Sequence, residues 1–128
     1  MSIRDQIHVL VVDDMSTSRI RIMQALEELR ITNICPASSG TEALDLLARQ
    51  PAHLVLSDFY MPGMNGIQLL SLLRAGEATR NIGFILITGR ANREIVNRGK
   101  ELGMNNFITK PFETMDLKSC LEAVIGRL

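Results

Sequence analysis

The chain of 128 residues is 46% hydrophobic and 22% charged, a balance that suits one globular domain and is too apolar for disorder. Lys plus Arg equals Asp plus Glu, 14 each, so no overall field draws the chain to nucleic acid or an anionic membrane. No stretch approaches the ~20 apolar residues of a membrane span, and "MSIRDQIH" lacks a signal-peptide core. Cys35 and Cys120 have neither Cys-x-x-Cys nor zinc spacing, so a cytoplasmic protein with two small, buried, reduced cysteines is expected.

In chain order, the apolar run at 7–12 ("IHVLVV") predicts a first strand, and "SRIRIMQALEEL" at 18–29 a helix with Ile22, Leu26 and Leu29 on one face beside Met23. A weaker strand at 33–37 ("NICPA") precedes a helix opened by Gly40, Thr41 and Glu42. A third strand at 53–57 ("HLVLS") leads to a helix that begins at Gly66 ("IQLLSLLRA"). The strand at 82–87 ("IGFILI") is followed by a helix that begins at Ala91 and is closed by Gly103 as its C-cap. A last strand at 105–109 ("NNFIT") precedes a helix carrying Leu117, Leu121, Val124 and Leu128 at helical spacing. Five strands and five helices in strict alternation predict an α/β domain with a doubly wound parallel sheet. The strand order expected is the flavodoxin-like 2-1-3-4-5, with a ligand crevice at the carboxyl ends of strands 1 and 3. One domain over residues 1–128 is expected.

The residues that follow the strands carry the chemistry. Strand 1 ends in Asp13 and Asp14, strand 3 in Asp58, strand 4 in Thr88 and strand 5 in Lys110. Adjacent like charges about 4 Å apart repel by roughly 4 kcal/mol near a protein surface, so the acid pair needs a counter-ion. Three carboxylates against one lysine match a hard divalent cation with oxygen ligands, Mg²⁺ above all. Mg²⁺, the Lys110 ammonium and the Thr88 hydroxyl could then hold the oxygens of a phosphoryl group, and Asp58, alone on the central strand, is the natural acceptor. Taken singly, each Asp reads more simply as a helix cap, and Lys110-Pro111 as a turn. The hydroxyl run Ser16, Thr17, Ser18 reads as capping of the next helix. Convergence of five such residues on one sheet edge is what favours a site.

These residues resemble the CheY-like receiver domains of two-component response regulators, and within them the single-domain chemotaxis type. The resemblance runs along the whole chain through "VLVVDDMSTSR", "HLVLSDFYMPGMNG", "ILITGR" and "FITKPF". It implies that Asp58 accepts a phosphoryl group from a histidine kinase, that Asp13, Asp14, Asp58 and the backbone carbonyl of Tyr60 ligate Mg²⁺, and that Thr88 and Lys110 contact the phosphoryl group. It also implies that the Lys110-Pro111 bond can be cis. The family's switch residue on strand 5 is here Phe107, which keeps the ring and lacks the hydroxyl of the Tyr common in chemotaxis members. Tyr60 and Arg90 are bulkier than the residues usual at their places. A stack of one on the other would shield the acyl phosphate from water.

The resemblance further implies a monomeric phosphoacceptor signalling protein rather than an enzyme that turns over a substrate, with a histidine kinase and the flagellar motor switch or a phosphatase as partners. The chain stops after its last predicted helix with no room for an effector domain, so output is expected by noncovalent binding through a surface with Arg93, Arg98, Lys100, Phe107 and Lys118. A phosphate sink or phosphorelay intermediate is the alternative output. A haloacid-dehalogenase-type phosphatase would need a second Asp where Tyr60 stands. An FMN carrier would find its phosphate repelled by Asp13 and Asp14, and a purely structural module leaves the convergent acids unexplained.

Overall fold

The computed structural model describes residues 2–90 and 92–128. Strands β1 (Val9–Val12), β2 (Ile34–Ala37), β3 (Leu54–Ser57), β4 (Gly83–Thr88) and β5 (Asn106–Thr109) form one parallel sheet in the order β2-β1-β3-β4-β5, as the alternation predicts. Helices α2 (Ser16–Glu28), α3 (Gly40–Arg49), α4 (Gly66–Ala75), α5 (Arg93–Glu101) and α6 (Thr114–Ile125) are the five expected from periodicity. A sixth, α1 (Ile3–Gln6), is a single turn that no periodicity could reveal. No helix among the described residues is long and apolar enough to cross a membrane.

Both β1 and β3 are buried at every residue, as strands covered on two faces must be. Alternate side chains sort into two cores. Leu10, Val12, Val55, Phe84 and Leu86 pack with Ala43, Leu47, Leu69, Leu70, Leu73 and Ile95 under α3, α4 and α5. Val9, Val11, Leu54, Leu56, Ile85 and Ile87 pack with Ile22, Leu26, Leu117 and Leu121 of α2 and α6. The sheet is thereby packed on both faces.

Strand β1 starts two residues later than the apolar run suggests. Ile7 closes α1, and the His8 N–H leaves the ladder to donate to His53 Nδ1 at 2.9 Å. Ala91, the predicted start of the fifth helix, lies outside the described residues. Asn92 caps α5 by accepting the Ile95 N–H at 2.8 Å, and Gly103 ends it at φ 89, the left-handed conformation expected of that glycine. Leu128 lies beyond α6, whose C-cap is Gly126. Cys120 is buried, and burial pushes its thiol up to about 11. Cys35 is only half-buried, because β2 is the edge strand.

Candidate functional site

The register of the sheet brings the strand ends together. Asp58 N–H donates to the Val12 carbonyl at 3.0 Å, so the residue after β3 sits beside the end of β1. Lys110 N–H donates to the Thr88 carbonyl at 2.9 Å, which fixes the loop after β5 against the end of β4. Asp13, Asp58 and Thr88 are buried polar residues at 0%, 7% and 0% exposure, so each needs partners.

The carboxylates find them in one cluster. Lys110 Nζ donates to Asp13 Oδ2 at 3.0 Å and to Asp58 Oδ2 at 3.2 Å. Asp13 Oδ1 accepts the Met15 N–H at 3.0 Å in an Asx turn, and Asp58 Oδ1 accepts the Phe59 N–H at 2.7 Å. Asp14 is exposed and makes the third corner: one carboxylate oxygen from each of Asp13, Asp14 and Asp58 lies within 4.8 Å of the others. Two acids are thus buried and neutralised in part by a lysine, while the third faces solvent. Three hard oxygen donors at this separation fit a small divalent cation better than a soft metal.

Thr88 lies at the end of β4, opposite Thr109, and its hydroxyl accepts the Arg90 N–H at 3.4 Å. Its backbone, not its hydroxyl, is what joins it to Lys110. Tyr60 is half-exposed, and its ring meets Phe59 edge-on, with centroids 4.7 Å apart at 81°. The expected stack with Arg90 is therefore not formed. Among the described residues it is Arg21 that lies over a ring, that of Phe112 at 5.2 Å. Phe107 is partly buried against the core under α3 to α5, and Lys110-Pro111 is cis.

Two residues of the site are not in the predicted set. Ser18 donates its hydroxyl proton to Asp13 Oδ2 and accepts from Lys110 Nζ, and Arg19 donates to the Asp13 carbonyl at 2.7 Å. The expectation that the hydroxyl run caps α2 is corrected here. The N-cap is Met15, which has no capping side chain, and the first turn instead hangs from the Asp13 carboxylate. A signal for Ser18 was present: it lies four residues before Ile22, on the inward stripe that continues to Leu26.

A glycine sets the opposite wall. A Cβ on Gly66 would collide with the Asp58 carbonyl oxygen, whereas one on Gly89 meets nothing within 4 Å. Helix α4 thus packs directly on the loop that follows β3, joined to it by the Gly66 N–H to Phe59 carbonyl bond of 2.9 Å. Gly66→Ala should force that backbone apart and destabilise the protein by about 1–3 kcal/mol, with Gly89→Ala near neutral. Thermal denaturation of the two variants checks this, and equal midpoints would contradict it.

Residues 9–122 match the family model described as the response regulator receiver domain. The chain belongs to that family. The receiver domain here is 41% identical over 128 residues to the "Probable chemotaxis protein CheY" of Rhizobium etli, covering 100% of this chain and 99% of the relative. It is 37% identical over 120 residues to the chemotaxis protein CheY-3 of Vibrio cholerae, covering 94% and 92%. In structure it is similar to the CheY4 protein of Vibrio cholerae, with a TM-score of 0.86 at 25% identity over 93% of this chain and 98% of that one. It is accordingly a response-regulator signalling protein. Receiver domains in general bind Mg²⁺ through acidic residues, and Asp13, Asp14 and Asp58 form such a cluster here.

Proposed function

We propose that this receiver domain is a cytoplasmic, monomeric response regulator of bacterial chemotaxis that takes a phosphoryl group from a histidine kinase onto Asp58. The observation that carries the reading is one ammonium shared by two acids: Lys110 Nζ lies 3.0 Å from Asp13 and 3.2 Å from Asp58, with Asp14 completing the triad. In the transfer, an Asp58 carboxylate oxygen attacks phosphorus as the bond from phosphorus to the imidazole nitrogen of the donor breaks, and that nitrogen then takes up a proton. Asp13, Asp14, Asp58 and the carbonyl of Tyr60 would hold Mg²⁺, which when bound supplies positive charge to the transferring oxygens. Lys110 supplies the fixed cation, and Thr88 supplies a hydroxyl once it leaves Arg90.

Phosphorylation adds about −1.5 to −2 charges at Asp58. The resulting pull on Thr88 and Lys110 would shift β4 and β5, and with them Phe107 and the face bearing Arg93, Arg98, Lys100 and Lys118, toward a second packing. That face would bind the flagellar motor switch, or a phosphatase. The names of the two relatives support the chemotaxis assignment. The alternative is a phosphate sink or relay intermediate, and Phe107 bears on it because it lacks a hydroxyl for a motor partner to sense.

Swimming behaviour separates the outputs. In cells carrying Asp58→Asn, lost reversals indicate motor control, and a prolonged response to stimulus indicates a sink. Unaltered swimming and adaptation would contradict both.

A further inference from the structure

Lys110 Nζ has three hydrogens and three acceptors: Asp13 Oδ2 at 3.0 Å, Asp58 Oδ2 at 3.2 Å and Ser18 Oγ at 2.5 Å. The donor capacity of the ammonium is therefore full. Two of its partners are the carboxylates that the proposed reaction recruits, Asp13 to the cation and Asp58 to phosphorus. Ser18 is the neutral third, and it stands in the first turn of α2, anchored through Ile22 and Leu26 in the core. Its hydroxyl has a single proton, given to Asp13 Oδ2, which leaves a lone pair for the ammonium.

A helix-capping role does not account for this serine. Its hydroxyl bonds run to Asp13 and Lys110, and the cap position belongs to Met15. Ser18 and Lys110 also line one groove of about 300 Å³ with Thr17, Arg21, Pro111 and Phe112, so the contact borders an open groove and is not sealed in the core.

We propose that Ser18 is a positioning residue for Lys110: its hydroxyl holds the ammonium over the gap between Asp13 and Asp58 while the two carboxylates exchange partners. The kinetic consequence rests on the phosphoacceptor reading above, whereas the positioning itself does not. With an alkyl side chain at 18, one ammonium hydrogen has no fixed acceptor and the ammonium swings toward solvent or onto one acid. The transferring oxygens then meet a donor that must first be re-aimed.

Nuclear magnetic resonance of the full chain without metal, reading the Nζ–H signal of Lys110, tests the positioning, because a held ammonium exchanges its hydrogens slowly. The signal is expected in the wild type and in Ser18→Thr, and is expected to be lost in Ser18→Ala. In parallel, the initial rate of phosphorylation by acetyl phosphate at saturating Mg²⁺ should fall roughly tenfold in Ser18→Ala and recover in Ser18→Thr, the size set by one hydrogen bond to a charged group. Absence of the signal in the wild type, its retention in Ser18→Ala, or an unchanged rate in Ser18→Ala overturns the proposal. Should the wild type itself take no phosphoryl group, the phosphoacceptor reading fails and the ammonium signal alone decides the role of Ser18. If Ser18→Ala does not fold, Ser18→Cys, with a similar volume and a poorer acceptor, carries both readouts to the same conclusions.

Discussion

Lys110→Ala is expected to move two properties of the site in opposite directions. The side chain is the only cation bonded directly to the carboxylates of Asp13 and Asp58 among the described residues, at 3.0 Å and 3.2 Å. Removing it leaves three acids with no built-in countercharge. Affinity for Mg²⁺ should therefore rise, because an added cation no longer competes with an ammonium for Asp13 and Asp58. Phosphoryl acceptance should fall by roughly 10²–10³, the usual loss when one donor to the developing charge is removed. Calorimetric titration with Mg²⁺ reads the first effect and phosphorylation by acetyl phosphate the second. A variant that binds Mg²⁺ more tightly yet accepts phosphoryl at the wild-type rate would show that Lys110 is only a counter-ion. Conversely, a fall in both would point to a loosened site.

The largest effect on stability is expected from Phe84→Ala. Phe84 is fully buried on β4, in register with Val55 of β3, and belongs to the core under α3, α4 and α5. Truncating a buried Phe costs about 3–5 kcal/mol through lost transfer energy and the cavity left behind. Against a total of roughly 5–15 kcal/mol for an ordinary domain, this change alone brings the protein near its folding limit. A drop in Tm on the order of 10–20 °C is the expected result by differential scanning calorimetry. A drop of only a degree or two would mean that α4 and α5 collapse into the space, and that this side of the sheet is less rigid than its packing implies.

Much of the architecture was legible because buried parallel strands leave a continuous apolar run, and amphipathic helices a periodic one. The strand order followed from alternation together with short connections. The residue after each strand then pointed to the site, since Asp13, Asp58 and Lys110 converge across the sheet. What escaped notice lies where local side-chain bonds compete with periodicity. The His8 N–H turns to His53 instead of extending β1. Met15 stands at a cap position without a capping side chain because the Asp13 carboxylate takes over that work from the preceding strand. In sequence Ser18 has the look of a local cap, although its partners are Asp13 and Lys110, the second 92 positions away along the chain. The Tyr60 and Arg90 stack failed for a related reason: side chains on adjacent loops answer to their nearest neighbours, and Phe59 is nearer to Tyr60 in the chain than Arg90 is.

Thr88 marks a further limit of reading residues singly. Its place at the sheet edge follows from β4, but its hydroxyl accepts the Arg90 N–H, a bond within its own loop. Its proposed role in switching depends on the exchange of that bond for one to a phosphoryl oxygen. The resting arrangement provides the starting point of that exchange, and Lys110, joined to the Thr88 carbonyl at 2.9 Å, would transmit the movement to β5.

The central claim is that Asp58 is a phosphoryl acceptor. Its most direct test is intact-protein mass spectrometry after incubation with Mg²⁺ and acetyl phosphate, on the wild type and on Asp58→Asn. Addition of a single phosphoryl mass to the wild type, dependent on Mg²⁺, is expected, and none to Asp58→Asn. No addition to the folded wild type, or equal addition to Asp58→Asn, would contradict it.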